Sequence, residues 1–542
     1  MALNYQDSQP IYQNGIWKGV RDDMPEGYFK LGERILNQFK QNPDFIGQID
    51  SLTGKEDTYK SMGDRSIRCA LWLINQGLRQ GDIVGLCSKN QLDCCIPLFA
   101  SLYLGTICSP LSHKYMDEEL VRYYIDARQP KVMFIDQNNA DMVVETAKKM
   151  GYSMPIIVLG QKDGLLSFSD ILRAQNDEEV DKFKCTDVKP QDPAIIINTS
   201  GTTNLPKGVL HSYGSYANML KFFKNDEEPS TVIGFYGINA ISGLRTVIRS
   251  VVFKATIVVA ENLYGTESLE LIEKYKVTRL WMTIYTAFRM MKTPDIFKFN
   301  LSSVELVAFG GGKSDEEAIK FLQKLFYNAD LYCYYGGTEF GAALTNKVDF
   351  SKVDFSKVTS AGRVMANVEI KVVDPKDNKI LGPNEEGEIY LRTPKLMTRY
   401  WDNPKATADA VDSEGWYHTG DLGYCDTDGD FYLVARNNEF IFIYADKTLS
   451  SVIVDVIKEV PGVDEVAVLP KLHPDYYEVP MAFVTVAHGM QVTEDDINGA
   501  VQKKLPDYMK LRGGIRFLET MPYSDSGKIN NRILRAICQS FA

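Results

Sequence analysis

The segment TSGTTNLPKGV, residues 199–209, concentrates hydroxyls, two glycines and a lysine directly behind the apolar run AIIIN. Small residues in succession let backbone N–H groups turn toward one point as an anion nest, and the hydroxyls add donors. Lys207 adds a mobile point charge suited to phosphate, and Asn204 tolerates a left-handed turn. TSGTT alone reads equally well as a solvated turn; the continuation through Pro206, Lys207 and Gly208 favours phosphate. The GxxxxGK[ST] loop of nucleoside triphosphatases is excluded, because Pro206 stands where it needs glycine. GGGKS at 310–314 ends like that motif but has Val307 at the required upstream glycine.

Such a loop needs a strand to carry it. AIIIN predicts a buried strand, so the loop leaves a strand's carboxyl end, where open α/β sheets place ligands. The flanking chain repeats one rhythm. SIRCALWLINQGL is an amphipathic helix before the β-rich IVGLCS; DEELVRYYIDA precedes KVMFID, ADMVVETAKKMG precedes PIIVLG, and ESLELIEKYK precedes VTRLWMT. Helices handing over to buried strands predict an α/β fold of layered sheets. Near Ser360 the pattern changes to strands and turns, as in VEIKVVDPKDNK and EEGEIYLRT, which predicts a β-rich subdomain over about 360–435. Beyond Arg436, the apolar segments VDEVAVLP and MAFVTV belong to a small mixed α+β domain, giving domains 1–435 and 436–542. The echo KVDFSKVDFSKV at 347–358 is too short for a solenoid unit and reads as a loop duplication.

At 542 residues, with 44% hydrophobic and 24% charged content, the chain has the composition of a soluble multidomain protein. A net charge of -11 disfavours sequence-independent nucleic-acid binding while allowing a local basic pocket. The nine cysteines form no CxxC pair, which points to reduced, intracellular thiols. The N-terminus has no apolar run of signal-peptide length, and VIRSVVFKATIVVA is broken by Arg249 and Lys254. The C-terminal QSFA is not the peroxisomal S-K-L address, so a cytoplasmic location is expected.

The loop resembles the [ST]SG[ST]TGxPKG signature of the adenylate-forming ligases, the superfamily of acyl-CoA synthetases, 4-coumarate ligases and firefly luciferase, with Asn204 replacing a glycine. VAFGGG ending at Gly312, YGGTE at 335–339 and YHTGD at 417–421 follow in the family's order. Likeness extends from LRQGDIVGLCSKN through EEGEIYLRTPKLMTRYWDNPKAT to SDSGKINNR, nearly the whole chain. The resemblance implies that a carboxylic acid, fatty or aryl, attacks the α-phosphate of ATP to give acyl-AMP, which coenzyme A then captures. It implies roles residue by residue: Thr199, Ser200, Gly201, Thr202, Thr203 and Lys207 around the β- and γ-phosphates; Glu339 on Mg²⁺; and Thr338 facing the α-phosphate. Tyr335 would join the nucleotide site. Gly310, Gly311 and Gly312 would let adenine lie against bare backbone. Asp421 would accept from the ribose hydroxyls, Arg436 would add a ribose or phosphate contact, and Lys528 would be swung toward the α-phosphate by the small domain. Tyr236, Gly237, Ala342 and Ala343 are acyl-pocket candidates, with ordinary core packing as the alternative. A peroxisomal location is also compatible with the family.

Two stretches depart from the pattern. VARNNEFIFIYADK has Ala435 for the aspartate before the hinge arginine, Phe442 for the lysine of the thioester-forming orientation, and Tyr444-Ala445 for the Lys-Gly beside coenzyme A. VIGFYGINAISG lacks the histidine that many relatives carry at the acyl entrance; His211, His418 and His473 read as turn or surface residues. Alternative readings are therefore an enzyme that stops at the adenylate, a nucleotide-binding regulatory paralogue, and light emission, for which the sequence advertises no luciferin pocket.

Overall fold

The computed structural model describes residues 10–540 apart from 115, 200–205, 221–228, 262–264, 313–315, 349–356, 358, 437–439, 444–445, 474–476 and 525–527; for 285, 435–436, 440, 442–443, 446–447, 449, 477 and 539–540 it describes the backbone alone. The helix-to-strand rhythm is realised as expected. ESLELIEKYK lies in helix Thr266–Tyr275 ahead of strand Arg279–Thr283, and DEELVRYYIDA forms helix Glu118–Arg128 ahead of strand Val132–Asp136. Asp117 caps the latter, accepting from Leu120 N at 2.7 Å, with Glu118 and Glu119 in the first turn where the helix dipole favours carboxylates.

Two large sheets carry the body. In one of eight strands, Pro193–Thr199 lies between the parallel Ile107–Pro110 and the antiparallel Lys207–Ser212. Ile195 and Ile197 join the largest apolar cluster, with helices Leu31–Gln41, Tyr59–Asn75, Ile96–Leu104 and Ile241–Val252. Ile196 points the other way, to Ile83, Ile107 and Leu210. Burial on both faces is why the strand reads as an unbroken apolar run. In the nine-stranded sheet, Leu306–Gly310 is flanked by the parallel strands Arg279–Thr283 and Asp330–Gly337. A six-stranded antiparallel sheet holds Glu369–Val373, Gly387–Arg392, Tyr417–Cys425 and Phe431–Arg436, extended by the N-terminal hairpin Ile11–Gln13 and Ile16–Lys18. A five-stranded sheet follows, centred on the long pair Val463–His473 and Tyr477–Val486. Among the described residues no helix is long and apolar enough to cross a membrane.

Candidate active site

The phosphate-loop candidate closes a hairpin. Strands Pro193–Thr199 and Lys207–Ser212, which flank the segment, pair antiparallel with Thr199 opposite Lys207. Ser200, Gly201, Thr202 and Thr203 lie outside the described residues. The base of the loop is fixed from several sides. The Thr199 hydroxyl donates to Lys207 O at 3.4 Å, and Tyr123 donates its phenol proton to Pro206 O at 3.0 Å. A Cβ at Gly208 would stand 1.9 Å from Arg128 Nη2, so a side chain there would displace the guanidinium. Arg128 is buried and donates to Asn198 Oδ1 at 3.3 Å; burial pulls its pKa below the usual guanidinium value.

Strand Arg399–Tyr400 extends the sheet beside Val209 and Leu210. Lys207 Nζ lies 5.1 Å from the centroid of the Tyr400 ring, a cation–π distance, and the Tyr400 hydroxyl donates to Glu339 Oε1 at 2.9 Å. The aromatic ring therefore joins the loop's cation to the carboxylate of YGGTE. Burial and the neighbouring Glu339 charge both raise the Tyr400 pKa, which keeps it a donor. The preceding residue, Thr338, is gripped through its backbone: its carbonyl accepts from His211 Nε2 at 2.8 Å, while Nδ1 lies 3.3 Å from Ser215 Oγ. His211 is fully buried in strand Lys207–Ser212, which corrects its reading as a turn or surface residue. Desolvation lowers its pKa to about 4, so the ring is neutral with the proton on Nε2.

The glycine run sits at the carboxyl end of strand Leu306–Gly310. Gly310 is small for the sake of the sheet, since a Cβ would stand 2.2 Å from Tyr334 O on the adjoining strand. Gly311 takes φ +78°, the left-handed region that glycine enters freely. A Cβ at Gly311 would lie 3.4 Å from Thr283 Cγ2, 3.6 Å from Lys528 Cε and 3.9 Å from Lys528 Nζ. Lys528, more than two hundred residues downstream, is thus brought to this turn. The lobe carrying it is held there by Lys292–Asp464 at 2.6 Å, by Arg289 stacked 4.5 Å from the Tyr523 ring centroid, and by Arg532 paired with Asp117. Gly312 follows, half-buried.

Asp421, only 4% exposed, accepts from the Tyr335 hydroxyl at 2.5 Å through Oδ2. In the Tyr417–Cys425/Phe431–Arg436 pair, Asp421 stands directly opposite Arg436. On the side expected for the acyl group, the Tyr236 hydroxyl receives Thr283 N–H and bonds Thr286 Oγ1 at 3.2 Å; burial pushes its pKa up to about 12. Gly237 turns the chain, and its carbonyl accepts from Ala240 N at 3.0 Å. Ala342 and Ala343 are both buried in the apolar cluster around Tyr335 and Phe340. Phe442 pairs in register with Lys447 in the hairpin Phe440–Ile443/Asp446–Leu449, while Tyr444 and Ala445 lie outside the described residues.

Three contributors escaped sequence reasoning: Arg128, His211 and Tyr400. Tyr400 lies inside TPKLMTRYWDNP, whose likeness to the family was visible without a role for it. Arg128 and His211 carried no local signal, because each acts across the sheet on a partner distant in sequence.

A model of the AMP-binding enzyme family matches residues 35–401, and a model of the AMP-binding enzyme C-terminal domain matches 455–528. The chain is 29% identical over 530 residues to a luciferin 4-monooxygenase of Photuris pensylvanica, covering 93% of this chain and 94% of the other. It is 30% identical over 523 residues to a 4-coumarate–CoA ligase of Humulus lupulus, covering 92% of each. The crystal structure of ATP-bound MatB from Rhodopseudomonas palustris superposes with a TM-score of 0.79 at 22% identity, over 94% of this chain and 98% of that one, a likeness of fold. With its family model spanning most of the chain and its hairpin, glycine turn, Glu339 and Asp421 arranged as described, the protein belongs to the AMP-binding enzymes of the adenylate-forming superfamily.

Proposed function

We propose that the protein is an AMP-forming acid–CoA ligase acting on a fatty or aryl carboxylic acid, built as a body of residues 1–435 and a lid of 436–542. The observation that carries the reading is the approach of Lys528, from the lid, to the Gly311 turn of the body. A carboxylate oxygen attacks the α-phosphorus of ATP, the α–β bridging P–O bond breaks, and pyrophosphate leaves. The obstacle is charge, an anion approaching a polyanion, so the chain's work is to aim donors and cations at the phosphates. Thr199 through Thr203 and Lys207 hold the β- and γ-phosphates. Thr338, its carbonyl tied by His211, presents its remaining donors to the α-phosphate, and Lys528 neutralises charge developing there. Asp421 and Arg436 hold the ribose, Tyr335 orients Asp421, and Gly310 to Gly312 receive the adenine edge. Tyr236, Gly237, Ala342 and Ala343 border the acid.

Glu339 is a hard oxygen donor suited to Mg²⁺, with the Tyr400 hydroxyl fixing its carboxylate, and the ion would neutralise phosphate charge. In the second step the coenzyme A sulfur attacks the acyl carbon, AMP leaves, and the thiol proton passes to solvent. Phe442 and Ala435, where the family carries lysine and aspartate, favour a second reading in which the reaction stops at the adenylate. Pyrophosphate exchange into ATP over a panel of acids, followed by coenzyme A consumption with the best one, separates the two. Lys528→Ala is expected to lower exchange about 10²- to 10³-fold with ATP affinity nearly unchanged; a variant that keeps its rate removes Lys528 from the mechanism.

A further inference from the structure

We infer that Arg128 is a positioning residue for the polyphosphate end of ATP, a buried cation that sets the two strands flanking the phosphate-loop candidate through Asn198 and Gly208; this rests on the ligase reading and deepens its nucleotide site. Arg128 ends helix Glu118–Arg128 and is 3% exposed. Its Nη2 donates to Asn198 Oδ1 at 3.3 Å, and the same nitrogen fills the space that a Cβ on Gly208 would need. Asn198 and Gly208 are register partners, and the next pair along the strands is Thr199 with Lys207. The guanidinium therefore bears on both strands one residue below the ends of the loop. Asn198 is fixed at its other end as well, its Nδ2 donating to Pro110 O at 3.0 Å. Trp401 holds the helix end against the same strand, donating from Nε1 to Ala127 O at 2.9 Å and from its backbone N–H to Gly208 O at 2.7 Å.

The charge is poorly balanced where it stands. Among the described residues, Arg128 Nε and Nη1 have no hydrogen-bond partner, and no carboxylate forms an ion pair with the guanidinium. Asp402, whose charge reaches it, is exposed. Asn198 contributes a neutral oxygen. The carboxyl end of the helix offsets part of a positive charge but supplies no hydrogen bond to these two nitrogens. A buried, unpaired cation is costly, and a hydrocarbon side chain of similar length would fill the same space without that cost. An anion held by the loop beyond Thr199 and Lys207 supplies the balance, and a polyphosphate brings more negative charge to it than a monophosphate does.

The test is calorimetric titration of the full chain with ATP, pyrophosphate and AMP, in wild type, Arg128→Met and Arg128→Lys. Arg128→Met keeps the stem and removes the charge; it is expected to weaken ATP and pyrophosphate about tenfold, the scale of one charge acting on another at about 12 Å through an effective dielectric of about 20, with a smaller effect on AMP. Arg128→Lys is expected to recover most of that loss, which a purely packing role would not produce. If the Arg128 variants do not fold, Gly208→Ala displaces the guanidinium without removing it and should give the same selective loss. Equal losses for ATP and AMP, an unchanged ATP-to-AMP affinity ratio, or a lysine variant no better than the methionine one overturns the proposal and leaves the ligase reading intact. A selective, charge-dependent loss in a protein that exchanges pyrophosphate with no acid keeps Arg128 in its role and overturns the ligase. Wild-type protein that binds neither ATP nor pyrophosphate overturns both.

Discussion

Acidification tests the grip on Thr338 directly. His211 is enclosed and neutral, with a pKa of about 4 in the folded protein against 6.5 for an exposed ring. Between those values the unfolded chain binds a proton that the folded protein refuses. The contribution is therefore fully present above pH 6.5 and is lost progressively as pH falls to 4. A shift of that size is worth about 3 kcal/mol. His211→Gln removes the titration while retaining an N–H donor for the Thr338 carbonyl. Urea unfolding of both proteins at intervals from pH 7 to pH 4, followed by near-ultraviolet circular dichroism, isolates the residue, since other titrating groups act equally on both. The variant is expected to lose stability less steeply, the gap reaching about 3 kcal/mol at the acid end. Profiles that run parallel from pH 7 to pH 4 would show that His211 is not a desolvated neutral ring, and the account of how Thr338 is held would fail.

Asp421→Ala removes the acceptor of the buried Tyr335 hydroxyl, so it should raise the KM for ATP about tenfold or more and cost about 1–3 kcal/mol in thermal unfolding; unchanged values in both would detach Asp421 from the nucleotide. Gly310→Ala would drive a Cβ to 2.2 Å from Tyr334 O, so the strand end must shift, and exchange activity should fall together with a loss of about 1–3 kcal/mol in urea unfolding. Lys447 is the register partner of Phe442, so Lys447→Ala is expected to leave pyrophosphate exchange intact and abolish coenzyme A consumption. If thioester formation survives that change, Lys447 does not replace the family lysine.

Much of the fold was legible because its strands are buried on both faces and its helices on one. AIIIN and VTRLWMT are continuous apolar runs for that reason, and the helix before VTRLWMT carries a one-sided stripe. The antiparallel return of the phosphate loop was not legible: KGVLHS has the same apolar character as a parallel strand, and partner direction is not written in local sequence. At Gly310 the structure adds a reason for smallness that the sequence did not carry: the carbonyl of Tyr334 occupies the space a Cβ would need. His211 was misjudged because burial of a histidine is set by what the sheet stacks upon it. Tyr400 lay hidden because its two partners, Lys207 and Glu339, meet only in three dimensions.

The lid gives these contacts a mechanical sense. Lys528 stands beside Gly311, and the hairpin bearing Phe442 and Lys447 belongs to the small sheet of the same lobe, so one lobe carries both the lysine proposed to serve adenylation and the segment that departs most from the family. Among the described residues, polar contacts that hold the lobe include Lys292–Asp464, Arg532–Asp117 and the Arg289–Tyr523 stack. Exposed ion pairs contribute little, about 0–1 kcal/mol each, and are screened by salt. On the proposed ligase reading, such an interface would be released at small cost once pyrophosphate had left. A lobe welded by apolar packing would close well and reopen slowly, and turnover would then wait on the lid. On the proposed two-step reading, a charged seam of this kind would let Lys528 withdraw and the hairpin Phe440–Ile443/Asp446–Leu449 take its turn within one catalytic cycle.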